Sequence, residues 1–370
     1  MELQPLTKVL RSVVTGVGGY LPDEIVTNAD LSKLVDTTDE WIIERTGIRQ
    51  RHRAAPDQPV SDLAVEAARK ALAAAGRTPA DVDLIIVGTT TPDLTFPAVA
   101  TIVQRKLGCP VGIAFDVQAV CSGFVYALST ADGFVARNRS KCALVIGAET
   151  MTRLMDWTDR GTCVLFGDGA GAVVLEPGEG EGTTQDRGLL GFALRADGTK
   201  QDLLYVDGGV STNGQIGHLR MQGNQVFRHA VVNISEAVVA AAADAGVNVA
   251  DVDWFIPHQA NQRILEGVAR RLGIDEKKVI STVAKHANTS AASIPLALYE
   301  GITDGRIKPG QLLLLEAMGG GLTWAPASCA CRRKLQVRPR LRLEVFDLMR
   351  QSGHDGYSTF PRLRPVDSVQ

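Results

Sequence analysis

Residues 73–89, AAAGRTPADVDLIIVGT, recur without a gap in AADAGVNVADVDWFIPHQ at 242–259, with Gly76/Gly246, Ala80/Ala250, Asp81/Asp251 and Asp83/Asp253 each 170 apart. Further matches follow in the same order. RKLG (105–108) answers RRLG (270–273) at 165, and CALVIGAE (142–149) answers QLLLLEAM (311–318) at 169. Ordered self-similarity at nearly one offset is the signature of a duplicated unit. Each copy reads as an alanine-rich helix, a glycine turn, a short apolar strand (LIIVG or WFIP), a helix, a second strand, a buried helix and a third strand. Helices alternating with continuous apolar strands predict mainly parallel sheets covered on both faces. Two such sheets sharing central helices predict an α/β/α/β/α body. At 370 residues the chain also exceeds the roughly 250–300 at which one core stops growing, in keeping with two units. The predicted halves are 1–180 and 181–334, followed by an appended tail at 335–370.

Open α/β sheets place their chemistry where strands end at the carboxyl edge. Three polar or reactive residues fall there: Cys121 after FDVQAV, His258 after WFIP and Asn288 in KHANTSAAS. By the repeat offset Cys121 and Asn288 take near-equivalent places, so a pseudo-twofold axis brings them together. Each residue alone has a plain structural explanation. A free cysteine usually packs in the core, a histidine can be satisfied by backbone, and an asparagine before Thr-Ser can cap a helix. Jointly, at matched strand ends, they point to catalysis. Cys121 is expected at the start of the helix SGFVYALSTADGFVAR, where free N–H groups and the dipole favour a thiolate. A contribution of up to ~2 kcal/mol lowers a thiol from about 8.5 toward ~7 and predicts a useful ionised fraction.

Other stretches are weaker alone. GGG at 319–321 follows a strand, either as an oxyanion-binding loop or as a sharp turn joining two strands. GVGGYL (16–21) fails the dinucleotide pattern because Leu21 stands where the third glycine belongs, and FGDGAGAVVLEP reads as a glycine-rich hairpin feeding a strand. Trp41 and Arg45, four apart, can clamp a flat phosphorylated ligand. Arg263, Arg270 and Arg271 recur over two helical turns downstream of His258 and offer a docking face for an acidic protein. A net charge of −2 excludes global attraction to nucleic acid or membrane. No signal peptide or continuous 18-residue apolar run is read, so a cytoplasmic protein is expected. Six cysteines in so long a chain do not form a secreted disulfide framework, and CxC at 329–331 lacks a second ligand pair for a metal; it reads as core strand.

Taken in order, TNADL, DTTDEWIIERTGIRQRH, FDVQAVCSGFVYAL, DWTDRGT, FGDGAGAVVL, IPHQAN, NTSAASIP, DGRIKPGQ and GGGLTW resemble the β-ketoacyl-acyl-carrier-protein synthase III family of the thiolase-like condensing enzymes. The similarity spans essentially the whole chain except its tail. It implies the duplicated thiolase-like αβαβα fold, an acyltransferase and a homodimer. The implied reaction is a decarboxylative Claisen condensation of an acyl-CoA, acetyl-CoA being expected, with malonyl-acyl-carrier protein, initiating fatty acid biosynthesis. No cofactor or metal is implied. In this resemblance Cys121 carries the acyl group, with the backbone N–H groups of Cys121 and Gly320 as oxyanion hole, and His258 and Asn288 stabilise the enolate. Trp41 and Arg160 grip the CoA adenine, with Arg45 near its phosphates. Arg263, Arg270 and Arg271 meet the carrier protein, and Phe96 lines the acyl pocket at the dimer interface. Met318 replaces the family's usual Phe and Ala287 its usual Gly. A paralogue using medium-chain or branched acyl-CoA, and a non-catalytic CoA-binding scaffold, remain open at this stage.

Overall fold

The computed structural model describes residues 8–331, so the predicted tail at 335–370 lies outside the described residues. The main elements are strand β1 (Val9–Tyr20), helix α1 (Val60–Ala75), β2 (Leu84–Gly88), α2 (Val99–Leu107), β3 (Ile113–Val117), α3 (Gly123–Val135), β4 (Ala143–Thr150), β5 (Asp168–Gly180), β6 (Gly188–Phe192), α4 (Gly223–Asp244), β7 (Trp254–Pro257), α5 (Gln262–Leu272), α6 (Ser293–Thr303), β8 (Gln311–Gly319) and β9 (Thr323–Cys331). The first sheet has the order β1-β5-β4-β2-β3 and the second β7-β8-β9-β6. In the first, β1, β4, β2 and β3 run one way and β5 opposes them; in the second only β9 opposes the rest.

Strand alternation explains the layers. Along β2, Leu84 and Ile86 face a core shared with Phe124 and Leu128 of α3 and Leu298 of α6, while Ile85 and Val87 face α1 and α2. On β8, Leu313 and Leu315 join the same central core, and Leu314 and Met318 face α4 and α5. The five layers are therefore α1/α2, sheet, α3/α6, sheet, α4/α5, as the repeat predicted. The duplication extends to backbone detail: Val120 and Ser290, 170 apart, hold φ of 49° and 48° before α3 and α6. The strict counterpart of Cys121 is thus Ala291, so Cys121 and Asn288 are near neighbours of equivalent positions rather than equivalents.

The glycines of GVGGYL have a packing cause. A Cβ at Gly18 would sit 2.1 Å from the Ala67 carbonyl oxygen and one at Gly16 2.2 Å from that of Ala71. Helix α1 crosses β1 in backbone contact, which only small residues allow. FGDGAGAVVLEP corrects the expectation of a hairpin, because Asp168–Gly180 is one continuous interior strand. Its Gly171 admits α6, since a Cβ there would lie 2.7 Å from Pro295. Among the described residues one helix, α4, is long and apolar enough to cross a membrane. Its Val226, Ala230, Ile234 and Val238 face the second sheet as a core stripe.

Candidate active site

Cys121 sits in the tight turn Val120–Ser122 that leads into α3, one turn before the helix proper. Val120 is β-branched with positive φ, a conformation held only where surroundings over-determine it. The β8–β9 turn supplies that constraint. Thr323 Oγ1 donates to the Ala119 carbonyl at 3.0 Å, and Ser122 Oγ donates to the Thr323 carbonyl at 3.2 Å. A Cβ at Gly319 would come within 2.7 Å of the Cys121 nitrogen, so glycine is required where this turn meets the nucleophile's backbone. The three glycines therefore do join two strands, and the first of them, Gly319, also packs directly on the cysteine turn.

The expected low thiol pKa is corrected. Cys121 is 4% exposed, and burial pushes its thiol up to about 12, against the opposing pull of the Ser290 hydroxyl and a backbone N–H. Ionised Glu149 raises it further. Desolvation of the anion outweighs the helix terminus.

His258 follows β7, and its own N–H donates to the Glu316 carbonyl at 2.6 Å. Burial drives its imidazole down to about 3, so the ring is neutral at physiological pH. Ser293 Oγ lies 2.6 Å from Nδ1 and accepts the Gln259 N–H at 3.4 Å. The hydroxyl can donate to Nδ1, and in that arrangement the ring proton sits on Nε2. Gln259 is fully buried and satisfied on both ends, donating to the Pro257 and Ile280 carbonyls and accepting from the Thr282 and Val283 N–H groups.

Asn288 is bridged to Phe166, donating its N–H to the Leu165 carbonyl at 2.9 Å and accepting the Gly167 N–H at 3.0 Å. Its Oδ1 accepts the Ser290 N–H at 2.9 Å, which leaves the amide NH₂ as the group available to a ligand. Ala287 before it holds φ 58°, a left-handed conformation that explains why glycine suits this position.

Cys121, His258 and Asn288 line one cavity of about 240 Å³. Met318 and Phe166 share its wall, and Arg45 and Arg263 reach it from the surface. Trp41 is flanked by the Arg45 guanidinium at 4.5 Å and that of Arg160 at 4.9 Å, the latter also donating to the Asp36 carbonyl at 2.8 Å. Arg263 lies 5.7 Å from the Phe227 ring, whereas Arg270 and Arg271 are exposed in the last turn of α5, away from the cavity lining. Gly320 forms the β8–β9 corner. Phe96 stands 82% exposed and is not part of the lining. Sequence reasoning did not single out Ser290, Ser293, Gln259 or Glu149. Ser290 and Ser293 lie inside NTSAAS, whose hydroxyls repeat at the spacing of one helical turn.

Over 323 residues the chain is 81% identical to "Beta-ketoacyl-[acyl-carrier-protein] synthase III" of Caulobacter vibrioides, covering 87% of this chain and 100% of that protein. The chain belongs to the 3-oxoacyl-[acyl-carrier-protein] synthase III family. Profiles of that family match residues 115–198 and, for its C-terminal region, 242–330. The fold is similar to that of the 3-oxoacyl-[acyl-carrier-protein] synthase III of Aquifex aeolicus, with a TM-score of 0.81, 43% identity and coverage of 86% of this chain and 99% of that one. The Pseudomonas aeruginosa enzyme gives 0.82, 39%, 87% and 99%. As a synthase III the chain is a condensing acyltransferase, and the scaffold reading is set aside.

Proposed function

We propose that this synthase III takes an acyl group from acyl-CoA, acetyl-CoA by preference, onto Cys121 and condenses it with malonyl-acyl-carrier protein. The observation that carries this reading is the meeting of a thiol, a neutral imidazole and a free amide NH₂ at one cavity. The Cys121 sulfur attacks the thioester carbonyl, the developing oxyanion is held by the N–H groups of Cys121 and Gly320, and the CoA sulfur leaves with the bonding pair. The malonyl thioester carbonyl then accepts from His258 Nε2–H and the Asn288 NH₂. Loss of CO₂ leaves its electron pair as an enolate on that oxygen, and the enolate carbon attacks the acyl-enzyme, expelling the Cys121 thiolate, which takes up a proton from solvent to restore the resting thiol. Two neutral donors suit this step because they stabilise the enolate without protonating the carboxylate that must leave.

Trp41 and Arg160 are assigned to the CoA adenine and Arg45 to its phosphates. Stacking an adenine between Trp41 and Arg160 needs about 7 Å between them, so the guanidinium, now at 4.9 Å, moves outward by roughly 2 Å and releases Asp36. Exposed Arg263, Arg270 and Arg271 on α5 suit an acidic carrier protein. Leu94, Phe96, Val111 and Ile113, all exposed near edge strand β3, suit a homodimer in which Phe96 serves the partner's acyl pocket. The enzyme is assigned to the cytoplasm, in the initiation of fatty acid synthesis.

With malonyl-carrier protein as acceptor, acetyl-CoA is expected to give kcat/KM at least about tenfold above octanoyl-CoA and branched acyl-CoA. A steady-state panel checks this, and a preference for octanoyl-CoA would transfer the chain to the medium-chain branch of the family. Ser293→Ala is expected to slow malonyl decarboxylation by about fivefold to tenfold, the value of one hydrogen bond holding the His258 tautomer. Acylation of Cys121 in that variant should stay at the wild-type rate.

A further inference from the structure

The chemistry just described leaves the thiol proton without a destination. Cys121 rests as a neutral thiol, and the His258 ring is held neutral with Nδ1 occupied by Ser293. The cysteine turn packs on the turn Ser290–Ala292, and the Ser290 hydroxyl there faces the sulfur and donates to Glu149 Oε1 at 3.0 Å. Glu149 ends the inner stretch of β4 and is fully buried. Its carboxylate accepts from Thr89 Oγ1 (3.3 Å), the Thr90 N–H (3.1 Å), Thr90 Oγ1 (3.0 Å) and Thr91 Oγ1 (2.6 Å) as well as Ser290. Among the described residues it has no ion pair. The Thr90 N–H can only donate and the four hydroxyls are able to, which suits a carboxylate.

We propose that Glu149, acting through the Ser290 hydroxyl, accepts the Cys121 proton as the acyl-enzyme forms. The assignment rests on the reading of Cys121 as acyl carrier. As sulfur bonds to the thioester carbon, the S–H proton passes to Ser290 Oγ, which gives its own proton to Glu149 Oε1. When the tetrahedral intermediate collapses, the C–S pair goes to the CoA sulfur, and the relay runs backward to protonate it. Atoms and charge balance, and Glu149 is again a carboxylate. Ser290 thus serves both half-sites: its hydroxyl carries the proton in acylation, and its N–H fixes the Asn288 carboxamide.

The groups around Glu149 limit its titration to one partner. The Thr89–Thr91 turn and Ser290 present hydroxyls and an amide, and across on β5 it faces Gly169. Asp168, next on β5, is turned to the Ala54 N–H and Thr152. Cys121 is the titratable group coupled to it. Burial lifts the carboxyl above its ordinary value while the hydroxyls pull it back. It accepts a proton only when ionised, so acylation falls as pH drops through that raised value.

The test is single-turnover labelling of the full chain with radiolabelled acetyl-CoA across pH, with decarboxylation of malonyl-carrier protein measured alongside. Glu149→Gln is expected to slow labelling about 100-fold and to lose the acid limb, while decarboxylation stays within a few fold. Labelling at the wild-type rate, or slowed labelling that keeps the wild-type acid limb, overturns the relay. Should Glu149→Gln fail to fold, Ser290→Ala carries the same reading: slowed labelling without the acid limb supports the relay, and unslowed labelling overturns it. A wild-type chain that takes no label overturns the acyl-carrier reading instead.

Discussion

Cys121→Ser is expected to abolish acid-stable labelling by acetyl-CoA and to lower overall condensation by on the order of 10⁴-fold or more, the scale seen when a covalent nucleophile is removed. The size of the effect follows from the local chemistry. A thiol displaced to about 12 is still a far stronger acid and a softer nucleophile than a serine hydroxyl in the same dry pocket. The fold should be unaffected, because the hydroxyl is smaller than the thiol and the turn is fixed by Thr323 and Ser122 rather than by the side chain. Quench-flow labelling with the melting temperature as control checks both statements. Equal labelling of wild type and variant would place the acyl group elsewhere.

Asn288→Ala is expected to keep acylation of Cys121 within about twofold while condensation falls 10²–10³-fold, the cost of removing one donor from a charge-stabilising pair. The amide meets the second substrate only, so the two half-reactions separate. Because Asn288 Oδ1 also holds the Ser290 N–H, Asn288→Asp is the proper companion. It keeps that acceptor and removes the donating NH₂, so acylation survives in both variants and condensation in neither. An equal fall of both half-reactions in the two variants would show that Asn288 serves acylation as well.

Much of the architecture was legible because its signals are local. The 170-residue offset reported the two sheets and their shared middle layer, while the matched backbone of Val120 and Ser290, which makes Ala291 rather than Asn288 the counterpart of Cys121, emerged only from the structure. Strand ends reported Cys121, His258 and Asn288, and the cavity joins them. What failed depended on long-range contact or depth. FGDGAGAVVLEP has hairpin composition, yet its glycines answer a helix more than 120 residues later. The thiol's acidity was read from a helix terminus alone, whereas the degree of burial that decides it is set by the β8–β9 turn and α6. Glu149 closes an ordinary apolar strand in sequence, and nothing there shows that three threonines and a serine converge on its carboxylate.

The middle layer has a consequence for how such an enzyme ages under heat. Helix α6, from the second repeat, lies against β1 and β5 of the first, and α3, from the first, reaches β8 and β9 of the second. Each repeat has an outer core of its own, but the central one is common property, so parting the two would bare Phe124, Leu128, Ile294 and Leu298 together. Heat is therefore expected to part the halves and dismantle the cavity they share in one step.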